Sequence, residues 1–351
     1  MTRYRTLSLA AALAIAYGPP VAMALTRDAG LADNSRLSWF ERFQDSRQGA
    51  EQTERFSETY KVPDDAALDL SQIAGDVRVS SGRNNEIRID AVKRTRHRDP
   101  DEARRQLAAL RIEVTQVGAR LEVRTTYPRT TGNRSWSGGV DYTVTVPQAA
   151  AVAVKTVSGD VSVTGIGGEV RAETVSGAVD VINTPNLAVA RSVSGDVRAR
   201  EISSPSLILS TVSGSVIASA LKVRTLECGT VSGDVRLSNL QVERLSAKTV
   251  SGEIAFEGNL VRGGRYEFNA HSGGVRLVLP GDTAGFELDA STFSGSIRSD
   301  FPVTLRSSGG RDGGSNNRHG NATRAVRGSY GDAGALLSVR SFSGTVAITR
   351  R

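Results

Sequence analysis

Apolar and polar residues alternate in short runs along most of this chain, and the same run returns ten times. With Ser232 taken as position 0, positions −6, −4, −2, −1, +1, +3 and +5 are occupied, in that order, by Leu226, Cys228, Thr230, Val231, Gly233, Val235 and Leu237. The ten glycines at +1 are Gly75, Gly159, Gly177, Gly195, Gly214, Gly233, Gly252, Gly273, Gly295 and Gly344. Self-similarity of this kind indicates a repeat architecture.

The alternation predicts two short strands in each unit. Positions −6, −4 and −2 have the period of two that is typical of a half-buried strand, and positions −1, +1, +3 and +5 have the same period in the opposite phase. Positions −2 and −1 are therefore both predicted to face inward, which a straight strand does not allow. We expect the chain to bend between them. Glycine at +1 suits such a corner because it adopts backbone conformations that other residues avoid.

The spacing of the units predicts the fold. Successive Ser-Gly pairs from Ser158 to Ser294 are 18 to 22 residues apart, which matches one coil of a β-solenoid. Each strand then pairs in parallel with its equivalent about 4.8 Å away, and the stacked coils share one core. The predicted fold class is all-β, a parallel β-solenoid of about ten coils. A β-sandwich is the competing fold, but sandwiches lack self-similarity at a fixed period.

An irregular region precedes the regular repeat. Residues 54–147 are predicted to form irregular first coils that carry one inserted helix at about 100–110. Asp99 is a favourable N-cap, Pro100 suits the first helical position and Glu102 completes a capping box. We expect this region to cover one open end of the solenoid, because terminal coils need covering.

Two further segments depart from the repeat. The regular solenoid is predicted over residues 148–351, with a flexible insertion at about 306–335 that is rich in glycine and arginine and has no apolar period. Residues 25–53 are predicted to be a polar, disordered linker. Its aromatic residues Trp39, Phe40 and Phe43 are expected to pack locally, with contact to a partner as the alternative.

The first 24 residues resemble a secretory signal peptide. A basic start is followed by an apolar run too short to span a bilayer, and Ala22-Met23-Ala24 forms a small-residue cleavage site. The predicted location is periplasmic or secreted, after cleavage following Ala24, with no transmembrane span remaining. An uncleaved N-terminal anchor is the alternative.

Charge and cysteine content narrow the functional classes. The formal net charge is +7, and removal of a signal that carries Arg3 and Arg5 lowers it to +5. A net charge this small argues against a dedicated nucleic-acid-binding protein. Cys228 is the single cysteine, so no internal disulfide can form, and its position at −4 predicts a core residue.

No set of residues predicts catalysis, a cofactor or a metal. The three histidines, His97, His271 and His319, fall in unrelated parts of the repeat. The recurring serine is too regular for a nucleophile, since an enzyme activates one serine rather than a row of them. No zinc-site or triad spacing is present.

Acidic residues at +2 are the remaining candidates for chemistry: Asp76, Asp160, Asp196, Asp234 and Glu253. Stacked carboxylates could hold calcium or cleave polysaccharides, as on some β-helices. However, arginines recur two residues later, so we interpret the row as solvated ion pairs.

Four arginines are predicted to contact anionic envelope polymers. Arg276 and Arg298 occupy +4 in units that are consecutive in sequence and have no acid at +2, and Arg311 and Arg318 lie in the predicted insertion. We expect the first two to lie in adjacent coils, about 5 Å apart at their backbones. Weak, salt-sensitive binding would follow, with a solvated face that has no ligand as the alternative.

The repeated T-V-S-G-D-V corners and the early L-D-L-S-Q-I-A-G-D-V-R-V unit resemble a bacterial exported β-solenoid family of unknown function, known by the name “putative adhesin”. The resemblance covers roughly residues 54–351 and implies surface attachment, but it supplies no catalytic residues. The expected function is a non-enzymatic exported envelope protein, either a rigid scaffold or an adhesin-like binding module, with another envelope protein as a further partner class. The alternative is a carbohydrate-active β-helix enzyme that acts on an envelope or extracellular polysaccharide.

Overall fold

The computed structural model describes residues 51–83, 85–127, 138–305 and 324–351. The chain divides into two compact units, and the first of them, Met1–Arg47, lies outside the described residues. The predicted signal peptide, its cleavage site after Ala24 and most of the predicted linker therefore lie outside them too. Within the described residues, the second unit contains 25 strands and one helix.

The elements before the regular coils are the helix α1 (Pro100–Ala109) and the strands β1 (Glu51–Lys61), β2 (Ala67–Ser71), β3 (Val77–Ser81), β4 (Glu86–Arg96), β5 (Arg111–Val117), β6 (Arg120–Thr126) and β7 (Gly138–Val146). The next strands are β8 (Ala151–Ser158), β9 (Val161–Thr164), β10 (Val170–Ser176), β11 (Val179–Ile182), β12 (Leu187–Arg191), β13 (Val197–Arg200), β14 (Ser203–Ser210), β15 (Val216–Ser232), β16 (Val235–Ser251), β17 (Ile254–Glu257), β18 (Arg265–Ser272) and β19 (Val275–Leu279). The last strands are β20 (Phe286–Ser294), β21 (Ile297–Ser299), β22 (Thr304–Leu305), β23 (Arg324–Tyr330), β24 (Ala335–Ser343) and β25 (Val346–Arg350).

Parallel pairing of equivalent strands confirms the all-β solenoid. Positions of equal number lie opposite one another in neighbouring coils, as in the +3 row of Val161, Val179, Val197 and Val216. Most residues at −6, −4, +3 and +5 are buried in one continuous apolar core; Ala188 and Ile297 are half-buried and Ser299 is exposed. The core runs through the stack because each coil covers the open side of its neighbour.

The order of coils in space departs from the order in sequence at both ends. The last unit of the chain is inserted, since β24 pairs with β18 on one side and with β20 on the other. At the opposite end, β2 lies between β6 and β8 in the same way. Arg276 and Arg298 therefore both pair with Ala347 and not with each other, so the expected adjacency of these two arginines is wrong.

Antiparallel strands cover the terminal coils. At one end β5 pairs with β6, β4 pairs with β7 and β1 pairs with β4. At the other end β23 pairs with β20. These pairings satisfy backbone groups that would otherwise form open edges.

The inserted helix follows its sequence signals. Asp99 is the N-cap, and its Oδ1 accepts a hydrogen bond of 2.9 Å from the N–H of Asp101. Pro100 occupies the first helical position, where a missing N–H costs nothing. The helix buries Ala103, Gln106 and Leu107.

Two predicted boundaries are wrong. Strand β1 begins at Glu51, before the predicted end of the linker at residue 53. In the predicted flexible insertion, residues 324–330 form β23 and Ala335 begins β24; residues 306–323 lie outside the described residues. Gly328 explains the second error, because a Cβ there would lie 2.5 Å from the carbonyl oxygen of Thr304 in the paired strand β22. Glycine in this strand permits close pairing and is not a sign of flexibility.

Each corner is so narrow that only glycine fits at +1. At Gly233 the backbone has φ +146°, and an added Cβ would lie 2.0 Å from the carbonyl oxygen of Gly214 in the preceding coil. Both the backbone conformation and the approach of two main chains therefore exclude a side chain.

The corner leaves the glycine carbonyl without a backbone donor from the next coil, and the residue at −2 supplies one. The Oγ1 of Thr230 donates to the carbonyl oxygen of Gly214 at 2.9 Å, and equivalent bonds join Thr211 to Gly195 and Thr249 to Gly233. At the end of the stack, Arg324 donates instead to the carbonyl oxygen of Gly295. Threonine or serine at −2 is thus a substitute for a missing strand bond.

A Gly233→Ala substitution tests the close approach of the corners. We expect it to lower the free energy of unfolding by more than about 3 kcal/mol, because strain at positive φ and a main-chain clash act together. Gly263→Ala is the matched control, since Gly263 has φ +77° but no atom within 4 Å of an added Cβ. In urea unfolding, the free energy of unfolding of the control should fall by only about 1–3 kcal/mol. Equal losses would contradict the close approach.

A pair of isosteric substitutions tests the threonine bond. Thr230→Val should lower the free energy of unfolding by about 1–3 kcal/mol, because the half-buried carbonyl of Gly214 would lose its donor. Thr156→Val should be neutral or stabilising, since the Oγ1 of Thr156 is buried and has no partner among the described residues. Thermal and urea unfolding of both variants would compare them directly. A similar effect at both positions would rule out this role for the hydroxyl.

Candidate functional site

Residues at −1 face solvent, which corrects the prediction that they face inward. The side chain of Val231 is 45% exposed. The inward positions on either side of the corner are −2 and +3, so the change of phase takes place across the corner glycine and not between −2 and −1. Position −1 is therefore an outward position of the first strand.

The stack brings these residues together as a continuous exposed row, which we call the corner ladder. In stacking order it consists of Ile73, Val157, Val175, Val193, Val212, Val231, Val250, His271, Phe342 and Phe293. Its apolar members are 38–49% exposed. Its ten residues are separated by nine intervals of about 4.8 Å, so the ladder is roughly 43 Å long.

One end of the corner ladder is aromatic. The ring of His271 stacks on Phe342 with centroids 4.9 Å apart, and Phe342 stacks on Phe293 at the same distance. The interplanar angles are 11° and 5°, so the three rings are nearly parallel. All three side chains are exposed, so the stack forms an aromatic patch on the surface.

A shallow depression runs beside the ladder. One wall is formed by the ladder, the floor by the residues at −2, and the other wall by the residues at −3. Two parts of it have volumes of about 520 and 500 Å³ and are open to solvent. We call the larger part the aromatic trough; it is lined by Thr230, Lys248, Thr249, Val250, Asn269, Ala270, His271, Ser291, Thr292, Phe293, Arg340, Ser341 and Phe342.

The wall opposite the ladder is basic. Lys155, Arg191, Lys248 and Arg340 occupy −3 and are exposed, and none of them has an ion-pair partner among the described residues. Glu173 is the one acid in this row over the described coils. Glu173 lies between Lys155 and Arg191, so the excess of positive charge in this row is greatest at Lys248 and Arg340.

The acids at +2 are occupied by the stack itself. Oδ1 of Asp234 accepts a hydrogen bond of 2.9 Å from the N–H of Glu253 in the next coil, and Oδ2 lies 2.6 Å from Nη2 of Arg236. Asp196 makes the equivalent pair of contacts with Ser215 and Arg198. These contacts agree with the ion-pair interpretation and add a backbone bond that the sequence did not suggest. Within the described residues, no group of three or more His, Cys, Asp or Glu side chains is arranged to hold a metal ion.

The four arginines of the predicted polymer contact do not form one cluster in the described residues. Arg276 has no acid at +2 in its own unit, but its Nη2 lies 3.3 Å from Oε1 of Glu253 in the neighbouring coil, so its charge is paired. The strand that carries Ala347 separates it from Arg298. Arg311 and Arg318 lie outside the described residues. Contact with anionic polymers through these residues stays a prediction.

The histidines and the cysteine have separate surroundings. Nδ1 of His97 accepts a hydrogen bond of 3.1 Å from the N–H of Asp99 beside the helix N-cap, whereas His271 belongs to the corner ladder. His319 lies outside the described residues. Burial raises the pKa of the Cys228 thiol to about 12, so the thiol stays protonated at neutral pH and behaves as a core residue.

Folding accounts for most letters of the motif T-V-S-G-D-V but not for the valine at −1. Threonine, glycine and aspartate each supply a contact between coils, and the last valine is core. An exposed valine satisfies no such requirement. The repeat in the sequence reveals this row, but the prediction that it faces inward is wrong. The neighbouring threonines at −2, which already fill the inward position, were the available signal.

The chain was compared with known protein families and structures. A family model described as Toastrack DUF4097 matches residues 66–349. Among solved structures, a “putative adhesin” from Bacteroides fragilis is 11% identical, covers 84% of this chain and 97% of its own, and has a TM-score of 0.41. A “putative lipid binding protein” from Parabacteroides distasonis has the same identity and coverage with a TM-score of 0.38. A “putative cell adhesion protein” from Clostridium sporogenes is 12% identical, covers 85% of this chain and 100% of its own, and has a TM-score of 0.25.

No functionally curated protein matches the chain. Within the described residues, no helix combines the length and apolar character that crossing a membrane requires. The family match covers well over half of the chain and includes every corner glycine of the stack. It also agrees with the resemblance carried by the repeated corners. The chain therefore belongs to the Toastrack DUF4097 family.

Proposed function

We propose that this protein is an exported, non-enzymatic envelope protein in which a stiff β-solenoid presents the corner ladder as a binding surface. The observation that carries this proposal is the row of ten exposed side chains, nine of them apolar, in strict register. Monomeric proteins rarely expose an apolar surface of this extent unless it contacts another molecule.

The construction of the stack suits a binding surface. Each strand below the ladder pairs with a coil on both sides, as β16 does with β15 and β18. The ladder side chains are therefore held at fixed intervals before any ligand arrives. A surface that is ordered in advance loses little conformational entropy when it binds.

The contacts of the acidic row argue against the enzymatic alternative. A general acid or base must be free to exchange a proton with substrate. Asp234 and Asp196 already accept a backbone hydrogen bond and pair with an arginine. These carboxylates serve the stack, which favours a binding role over polysaccharide cleavage.

Export is the part of the proposal that rests on sequence alone. The predicted signal peptide at residues 1–24 would direct the chain to the periplasm or the exterior, where the ladder would meet envelope components.

Removal of the ladder should abolish binding to envelope material. The variant Val193→Ser, Val212→Ser, Val231→Ser should sediment with bacterial cell-envelope fractions at least about tenfold less than wild type, because binding energy concentrates in a few apolar contacts. Its free energy of unfolding should stay within about 0.5 kcal/mol per substitution, since the side chains are exposed.

The matched control replaces three exposed apolar residues that lie off the ladder. Val117→Ser, Val261→Ser, Leu336→Ser should bind as wild type does, because these residues are also exposed but belong to other surfaces. Equal binding by the ladder variant and wild type would overturn the proposal. Polysaccharide turnover that is lost in Asp234→Ala would instead support the enzymatic alternative.

A further inference from the structure

The aromatic trough joins an apolar wall to a basic wall, and this combination points to a ligand class. We propose that the trough binds one anionic amphiphile, with a carboxylate or phosphate beside Asn269, between Lys248 and Arg340, and a single acyl chain that runs from there along His271, Phe342 and Phe293. This inference deepens the proposed function and rests on the corner ladder being a binding surface.

The apolar wall is long enough for an acyl chain. The ladder residues of the trough, from Val250 to Phe293, lie in four coils that are about 4.8 Å apart, so this wall is roughly 14 Å long. The stacked rings present an uninterrupted surface, with 4.9 Å between successive centroids. Each methylene buried against such a surface strengthens binding by up to about fourfold.

The opposite wall supplies the charge for the head group. Lys248 pairs in register with Asn269, and Asn269 with Arg340, so the two cations lie on either side of one neutral residue. Neither cation has an acidic partner among the described residues, and no acid lines the trough. A bound anion would therefore be stabilised by both long side chains.

The floor of the trough argues against a peptide. The strands β18 and β24 are paired on both sides, so their backbone groups are already bonded. The hydroxyls of Thr249, Ser341 and Thr292 donate to corner glycine carbonyls. A peptide lying here would bury amide groups without partners, which is costly, whereas a hydrocarbon chain needs none.

The spacing of the corner ladder also argues against an extended peptide. Side chains on one face of an extended peptide repeat at about 6.6–6.8 Å, twice the rise per residue, and do not match coils at about 4.8 Å. A polymethylene chain has no side-chain period to match. It can follow the ladder at any register.

Charge and sequence distinguish the trough from two other possibilities. A second copy of this chain would bring two basic rows together, which is repulsive. The smaller depression, of about 500 Å³, contains Glu173 between Lys155 and Arg191 and has no aromatic residue, so it suits an anion less well.

The test uses sodium dodecanoate below its critical micelle concentration, with the purified chain and isothermal titration calorimetry. We expect saturable binding of one dodecanoate, at least about tenfold weaker binding of hexanoate because buried methylenes are lost, and no saturable binding of dodecyltrimethylammonium. Equal binding of the cationic and anionic amphiphiles would overturn the proposal.

Two variants of the trough locate the site. The double variant Lys248→Ser, Arg340→Ser and the single variant Phe342→Ser should each weaken dodecanoate binding at least about tenfold. The matched controls are the double variant Lys222→Ser, Arg244→Ser and the single variant Val157→Ser. They alter exposed residues outside the trough and should leave dodecanoate binding unchanged. Circular dichroism should give the same unfolding midpoint for all of them within a few degrees, since every altered side chain is exposed. Unchanged binding in the trough variants, with normal folding, would overturn the site.

Two further measurements identify a wrong occupant. If the protein floats with phosphatidylglycerol vesicles but binds no free dodecanoate, the occupant is a bilayer surface and not a single amphiphile. If an acidic peptide of alternating Glu and Leu binds more tightly than dodecanoate, the occupant is a polypeptide. If dodecanoate fails to bind while the triple ladder variant still loses envelope binding, this inference fails and the proposed function stands. If neither effect is seen, both fail.

Discussion

The close approach of successive corner glycines is the constraint on which the rest of the structure depends. The main chains come so near that no Cβ fits between Gly233 and Gly214. This contact interrupts the strand ladder, leaving a carbonyl at the glycine and an N–H one residue later. The hydroxyl at −2 bonds the carbonyl and the carboxylate at +2 bonds the N–H, as in Thr230 and Asp234. The motif is a set of side-chain substitutes for two missing backbone bonds.

Much of this fold could be predicted because its local rules repeat. The period of two located the strands, the glycine located the corner, and Asp99 with Pro100 located the helix. The direction of the residue at −1 could not be predicted, because periodicity does not show how many residues a corner takes up. The order of the terminal coils could not be predicted either. Equivalent strands carry the same pattern, so β18 accepts β24 as readily as β20.

The same separation between local and nonlocal information applies to the candidate site. Conspicuous residues such as aspartate, serine and threonine attract functional interpretations, yet Asp234 and Thr230 are explained by contacts between coils. The valines at −1 are chemically plain and attract none. They stand out only when stacking sets them side by side in solvent, next to cations that have no ion-pair partner among the described residues. In a repeat protein, the residues left over after the stack is explained are the better guide to function.

The insertion of the last unit between two earlier coils has a consequence for the order of assembly. A chain that emerges from its N-terminus can stack its coils in sequence as far as Ser272. The coil that contains Ser294 then has no parallel partner until β24 arrives, because β24 is the strand that joins it to β18. Completion of that end must therefore wait for β24 and β25. The C-terminal strands act as a closing step, and a chain shortened by its last unit would lose the attachment of the preceding coil as well.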